Sequence, residues 1–425
     1  MKILLINKFL YPKGGDAIAT IKTGRLLESH NHQVAFWGMN HPRNPKYLHK
    51  DLFVSNVDYD NPAGIVNQVK MARNLLYSKE AKKKLYVMLK RFRPDIVHLN
   101  NFAHQLSPSI LHTIKKYEIP CVMTMHDFKL VCASYLMRRN GAVCEACKDQ
   151  KYFHCLTSRC VKSSALKSLL NTAEMYLHHK LMHLYDLIDL FIAPSEFMIS
   201  TLRRMGFRRE AVYLPNFVAL NGFKPQYRQN RSDFVYFGRL SEEKGLPTLL
   251  RAVRGVPDVT LKIIGDGPIK EELDAIINRD RIRNVSFPGY LTGAKLKAEI
   301  GAARAVVLAS ECYENNPLAL VEAFALGKPA IGSRIGGIAE LVKDGITGLT
   351  FNPGDSNDLM VKLKFFRENP DEATRMGINA RAFVESELDP EKYYRTLMDL
   401  YHRVLNARYP NPMNLKHIQN YGEKG

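Results

Sequence analysis

The sequence predicts an α/β protein of two doubly wound domains facing one another across a central cleft. Three observations predict this. Strand-like and helix-like stretches alternate almost from end to end, the pattern of parallel sheets covered by helices. The alternation starts afresh after a polar, strand-free segment at 216–232. Several strand ends run into glycine-containing turns and then into helices, the positions at which such sheets bind ligands. At 425 residues the chain is long enough for two cores.

In the first half, strands are expected at 2–9, 34–37, 95–100, 120–126, 190–194 and 212–215, with helices at 17–28, 108–116 and 166–186. In the second half, strands are expected at 234–238, 260–265, 285–289, 305–308, 330–332 and 349–351, and the chain from about 371 is helical. These elements give a first domain over 1–215, a linker over 216–232, a second domain over 233–388 and a final segment over 389–425. The opening Ile3-Leu4-Leu5-Ile6 is too short for a signal-peptide core and reads as a buried strand, and no stretch reaches the length of a spanning helix. A cytoplasmic protein is the expectation.

The net charge of +19 is unevenly placed: residues 1–215 carry +16 and residues 216–425 carry +3. Such asymmetry points to an anionic partner. The densest basic stretch, 69–93, sets nine Lys and Arg against Glu80, and Leu85, Leu89 and Phe92 share one helical face. Two readings stand side by side: a basic helix lying on an anionic membrane surface, or a solvated surface helix whose apolar face belongs to the core. No recognisable nucleic-acid-binding motif accompanies the charge, which argues against nucleic acid.

The stretch 310–326 carries the most chemistry. Glu314 and Glu322 stand eight residues apart. Asn316 suits an N-cap and Pro317 a first helical position, and the helix that follows stops at Gly327. Its N-terminus suits a phosphate. Glu322 lies roughly 7 Å along the axis from Pro317, so the two carboxylates can meet two ends of a sugar–diphosphate–ribose. The bland alternative is a capped core helix with two incidental acids. Gly14-Gly15, before the first helix, allows close approach of the backbone to an anion. Arg239 and Lys244, after the first strand of the second domain, can clamp phosphates, or they are solvated cations. Gly265-Asp266-Gly267-Pro268 can admit a base or a phosphate, and Gly289-Tyr290 is a weaker instance of the same theme. His126 ends a strand, where it can hydrogen-bond a sugar or serve a structural role. Five of the seven cysteines fall close together, and Cys144, Cys147, Cys155 and Cys160 have the spacing of a structural zinc knuckle; free thiols are the alternative.

Taken together, these motifs resemble the retaining GT-B glycosyltransferases of family four (glycosyl transferases group 1). The resemblance covers most of the chain. It is strongest over 234–350, through Gly238-Arg239-Leu240, Glu243-Lys244-Gly245, Gly265-Asp266-Gly267-Pro268, the Glu314–Glu322 spacing and Gly327-Lys328-Pro329. His126-Asp127, Ala193-Pro194-Ser195 and Leu214-Pro215-Asn216 carry it in the first half. The cysteine-bearing segment at about 128–165 looks like an insertion found in a subset of these enzymes. The resemblance implies two Rossmann-like domains, the second holding a nucleoside diphosphate sugar and the first a glycan or lipid-linked acceptor. Gly15, Arg239, Lys244, Gly267, Tyr290, Asn316, Leu318 and Glu322 would bind the donor, with Arg239 and Lys244 on the diphosphate and Glu322 on the ribose. His126 and Glu314 would lie at the chemistry. No cofactor would be required for catalysis, and a helix near 391–405 would cross back to the first domain. Many relatives have Glu-Gly-Phe-Gly where this chain has Glu314-Asn315-Asn316-Pro317; proline has no N–H, so the amides of Leu318 and Ala319 are left for the phosphate. A nucleotide-sugar 2-epimerase and a non-catalytic donor-binding subunit are the rival readings.

Overall fold

The computed structural model describes residues 1–56, 71–227 and 233–409. The strands are β1 (Lys2–Ile6), β2 (Gln33–Trp37), β3 (Ile96–Leu99), β4 (Cys121–Thr124), β5 (Arg138–Arg139), β6 (Ala142–Val143), β7 (Leu190–Ala193), β8 (Ala211–Tyr213), β9 (Asp233–Phe237), β10 (Thr260–Ile264), β11 (Val285–Gly289), β12 (Ala305–Leu308), β13 (Ala330–Ser333) and β14 (Gly348–Phe351). They form two six-stranded parallel sheets, β2-β1-β3-β4-β7-β8 and β11-β10-β9-β12-β13-β14, and β5–β6 is a short antiparallel ribbon in the cysteine-bearing segment. Every expected strand is present, mostly trimmed at its C-terminal end. The first stops at Ile6 because the Asn7 side chain turns back onto the Phe9 carbonyl, 2.7 Å away, and accepts from the Asn101 amide at 2.9 Å.

The strand orders decide where ligands can sit. In the second sheet the order reverses at the β9/β12 boundary, and in the first at β1/β3. In doubly wound sheets the binding crevice opens at the carboxyl ends of the strands flanking that reversal. Helices pack both faces of each sheet. The second domain accordingly has two apolar layers, one around Leu249, Val253 and Leu359, the other around Leu320, Phe324 and Ile338.

The final helix, Pro390–Arg408, leaves the second domain and packs on the first, where Leu397, Tyr401 and Val404 join the core. Its polar contacts fix the register: Tyr393 meets the Thr23 hydroxyl at 3.2 Å, Glu391 meets His30 at 2.9 Å, and the Tyr401 hydroxyl meets His98 at 2.6 Å.

Two expectations need correction, and one open choice is decided. The helix expected over 166–186 runs as α-helix only over Ala165–Met175, continues as a π-helical turn over Tyr176–Leu181 and ends in a 3-10 turn at Leu184–Leu187. Pro317 is the N-cap of the helix Leu318–Ala325 rather than its first residue; its ψ of 114° is extended, so Asn316 lies one position further out. The basic helix Lys79–Phe92 buries Ala81, Leu85, Met88, Leu89 and Phe92 in the first domain's core. Each large apolar side chain there contributes about 1.5–3 kcal/mol to folding, so this apolar face is not available to lipid. Residues 69 and 70 of that stretch, residues 228–232 of the linker and residues 410–425 of the final segment lie outside the described residues.

His98 is buried and His179 half-buried, and desolvation depresses both imidazoles to about 3. Both are therefore neutral in the fold but protonate in the unfolded chain below about pH 6.5. Below that pH the unfolded chain binds more protons, so stability falls with falling pH until the folded value is reached. Acidifying from pH 7 to 5 is expected to remove about 2 kcal/mol per imidazole. Thermal melts of wild type and His98→Gln should show one imidazole's share of the slope missing in the variant.

Candidate active site

The loops after β9 and β12, at the strand-order reversal, bring the expected residues of the second domain together. Lys244 ends a 3-10 turn, Glu242–Lys244, and its ammonium donates to Glu314. The Ser310 hydroxyl donates to the same carboxylate oxygen at 2.7 Å. Burial works against both charges, but each offsets the other: Glu314 is held below the usual carboxylate range and Lys244 above the usual lysine range. Gly245, with φ of 64°, lets this turn press on the next strand, since a Cβ there would lie 1.9 Å from the Ala309 carbonyl. Arg239 is exposed at the mouth of the same crevice.

The loop from Glu314 to Pro317 is pinned from three sides. The Gly337 amide donates to the Glu314 carbonyl at 2.8 Å, and a Cβ on Gly337 would strike the Asn315 carbonyl. The Asn315 side chain reaches into the first domain, donating to the Met125 carbonyl at 3.0 Å and accepting from the Ser195 hydroxyl at 2.5 Å. Asn316 is buried, and its carbonyl accepts from Asn216 at 3.2 Å. Asn315 is thus the residue that sequence reasoning left without a role: it fastens the two domains together at the end of β4. Glu340 makes a second fastening by accepting from the amides of Glu196 and Phe197, at the start of the helix Glu196–Arg204.

The first domain meets this crevice with its own helix start. The helix Gly15–Ser29 and the helix Leu318–Ala325 lie side by side and point the same way. A Cβ on Gly15 would sit 3.9 Å from a Leu318 methyl, and further along Lys22 pairs with Glu322 at 3.1 Å. Two helix N-termini therefore converge at the cleft, each with unsatisfied amides and a partial positive charge. Lys22 had no signal in the sequence, because its partner lies 300 residues away.

Beside this anion-favouring region lies a cavity at the ends of β3 and β4, lined by Asn100, Asn101, His126, Asp127, Lys129 and Tyr185 among others. His126 donates from Nε2 to the Asn100 side-chain oxygen at 2.9 Å, which leaves Nδ1 as an acceptor. Burial lowers its pKa more than Asp16 and Asp127 raise it, so the ring is neutral. Under the cavity, Lys129 pairs with the fully buried Glu174 at 2.7 Å, and His104 joins at 3.3 Å.

Two expected contributors lie on the neighbouring loops after β10 and β11. Tyr290 follows edge strand β11, two strands from the β9/β12 crevice, with its ring 67% exposed. Gly267 packs against Leu240, whose carbonyl a Cβ would approach to 2.2 Å, so it serves close loop packing there. Cys144, Cys147, Cys155 and Cys160 share one neighbourhood with Cys132, and the Cys155 and Cys160 thiols are hydrogen-bonded to each other; among the described residues no three His, Cys, Asp or Glu side chains are set as metal ligands. They sit at different depths. Cys147 and Cys155 are in the core with Cys132, whereas Cys144 and Cys160 are half-buried. The segment is tied instead by Glu145 to Arg204 at 2.6 Å and by the Asp149 amide to the Met205 carbonyl at 3.0 Å.

A Glycosyltransferase Family 4 model matches residues 14–221 and a Glycosyl transferases group 1 model matches residues 221–383. The two meet end to end, and the chain belongs to the GT-B glycosyltransferases. It is 30% identical to a glycogen synthase of Mycobacterium tuberculosis over 70% of its own length. It is 26% identical to the lipopolysaccharide core biosynthesis glycosyltransferase LpsD of Rhizobium meliloti over 53% of its length. It spans 66% of each of these two proteins, just under two thirds. Among solved structures, Anabaena HepE in complex with UDP-glucose superposes with a TM-score of 0.67 at 18% identity, covering 95% of this chain and 100% of that one, a likeness of fold.

The Lys244–Glu314 pair is testable without any substrate. Removing one partner strands a charge in a mostly buried position, so Lys244→Met alone is expected to destabilise by about 2–4 kcal/mol. The double variant Lys244→Met with Glu314→Gln should recover at least about 1 kcal/mol of that loss. Urea unfolding of the four proteins in the cycle measures it.

Proposed function

We propose that the protein transfers a sugar from a nucleoside diphosphate sugar to a hydroxyl of a glycan or lipid-linked acceptor, with retention at the anomeric carbon. The observation that carries this reading is the convergence of Lys244, Arg239 and two helix N-termini on one crevice. That arrangement favours a bound diphosphate, and it favours a departing one more. Glu322, level with Lys22, would accept from ribose hydroxyls, and Glu314 from a hydroxyl of the donor sugar. The polar lining of the cavity at His126 marks the side of the crevice on which the sugar to be transferred would meet the acceptor.

Glu314 is already committed to Lys244 and Ser310, so it serves as a hydrogen-bond acceptor rather than a covalent nucleophile. Reaction then proceeds on one face of the sugar. The bond from the anomeric carbon to the β-phosphate oxygen breaks, the acceptor oxygen bonds to that carbon from the same side, and the acceptor proton passes to the departing phosphate. His126 holds its neutral ring beside the reacting sugar. Arg239 and Lys244 supply the charge that offsets the diphosphate, so transfer is expected to need no added metal. Named likenesses to a lipopolysaccharide core enzyme and to a UDP-glucose complex support a uridine diphosphate sugar and an envelope glycan as the first substrates to try. The +16 balance of the first domain supports work at the inner face of the cell membrane.

A thermal-shift panel of nucleoside diphosphate sugars, followed by turnover with the one that stabilises, tests the reading. A true donor at 100 times its Kd raises stability by about 2.7 kcal/mol. Lys244→Ala is expected to lower kcat at least about 100-fold, and chelator to leave it unchanged. Chelator-sensitive turnover that survives Lys244→Ala would refute the metal-free part.

A further inference from the structure

The helix Ala165–Met175 and its π-helical continuation to Leu181 are built inside out. The face turned into the domain is mostly polar: Ser168, Asn171, Thr172, Glu174 and His178 are buried, and Met175 is the apolar side chain buried with them. These groups find partners there. Glu174 meets Lys129 and His104, Thr172 donates to the Tyr152 carbonyl at 3.4 Å, and His178 contacts the Leu76 carbonyl at 2.6 Å. The face turned to solvent is apolar: Leu166 is 71% exposed, Leu169 48% and Leu181 76%. Ala173 is exposed between them, with Leu170 and Leu177 half-buried on the same arc. A surface helix ordinarily does the reverse, and the exposed leucines here are contiguous along the helix rather than scattered.

Charge decides what covers this face. Lys167 and Lys180 flank the leucines, and the one acidic residue of the helix, Glu174, is buried. Exposed Lys151 and Arg159 lie on the adjoining segment, where Phe153, 46% exposed, has its amide bonded to the Tyr176 hydroxyl at 3.3 Å. Leucines rimmed by lysines on a strongly basic domain complement an anionic lipid surface: the leucines enter the headgroup boundary and the cations meet lipid phosphates.

We propose that the helix 165–181 is the in-plane membrane-docking element of this protein. It replaces the basic helix Lys79–Phe92, whose apolar side is spent on the core. The inner face of the docking helix holds Lys129, which lines the cavity at His126. Docking by its outer face therefore brings that cavity close to the lipid surface, which suits a lipid-linked acceptor. This last step rests on the transfer reaction proposed above; the docking itself does not.

Flotation of the full chain with phosphatidylcholine vesicles, with and without about 30% phosphatidylglycerol, tests the proposal. Wild type is expected to float with the anionic vesicles. The combined variant Leu166→Gln, Leu169→Gln and Leu181→Gln should lose at least about tenfold in partitioning while keeping its melting temperature. Lys167→Glu with Lys180→Glu should lose binding in the way that high salt removes it from wild type. Wild type that binds neither vesicle, or a leucine variant that floats like wild type, overturns the proposal. So does a leucine variant that changes from dimer to monomer in sedimentation with flotation unaltered, since the leucines would then face a second copy of the chain. Donor-induced thermal shifts measured on the same proteins keep the two ideas separate: intact donor binding without flotation removes only the docking surface.

Discussion

The four residues Glu314 to Pro317 are the constraint on which the rest of the site depends. They join the end of β12 to the start of the helix Leu318–Ala325, and each is tied to a different part of the molecule. Glu314 is fixed by Lys244 and Ser310 within its own domain. Asn315 is fixed by Met125 and Ser195 in the other. Asn316 meets the linker through Asn216, and Pro317 caps the helix without a side-chain bond. The same short loop therefore places a carboxylate, closes two domains and aims a helix N-terminus. Gly336 and Gly337 lie under it because a side chain at either would strike the backbone of Glu314 or Asn315.

This coupling gives domain closure a direct route to the chemistry. Asn315 reaches the first domain at the Met125 carbonyl, next to His126. Were the domains to separate, Asn315 would lose Met125 and Ser195, and the loop that carries Glu314 would lose its outer support. Glu340 and the Lys22–Glu322 pair respond to the same motion, since each has one partner in each domain. A donor that bridges the two converging helix N-termini contributes in the same direction. In the proposed reaction, binding energy gathered at the phosphates would position the carboxylate and imidazole at the other end of the ligand.

How much of this was legible follows from where each signal lies. The strands were legible because parallel strands buried on both faces are continuous apolar runs. Lys244 and Glu314 were legible because each stands at a strand end, in local sequence that marks the turn. Asn315 was not, because its two partners belong to the other domain, 190 and 120 residues away. Tyr290 shared the turn pattern of its neighbours, whereas the edge position of β11 was not legible, because strand order cannot be read from a turn.

The two amphipathic helices of the first domain show the same limit more sharply. Periodicity identifies an apolar face without saying which side of the helix is outside. For Lys79–Phe92 the ordinary assumption holds, and leucines and phenylalanine go inward. For 165–181 it fails, because the interior there already holds an ammonium: Lys129 needs a carboxylate partner, and Glu174 supplies it. An unpaired ammonium at that depth is far more costly than exposed leucine. The buried ion pair therefore sets the rotation of the helix, and the leucines face outward as a consequence. The polar cluster under the His126 cavity and the apolar face on the surface are one feature seen from its two sides.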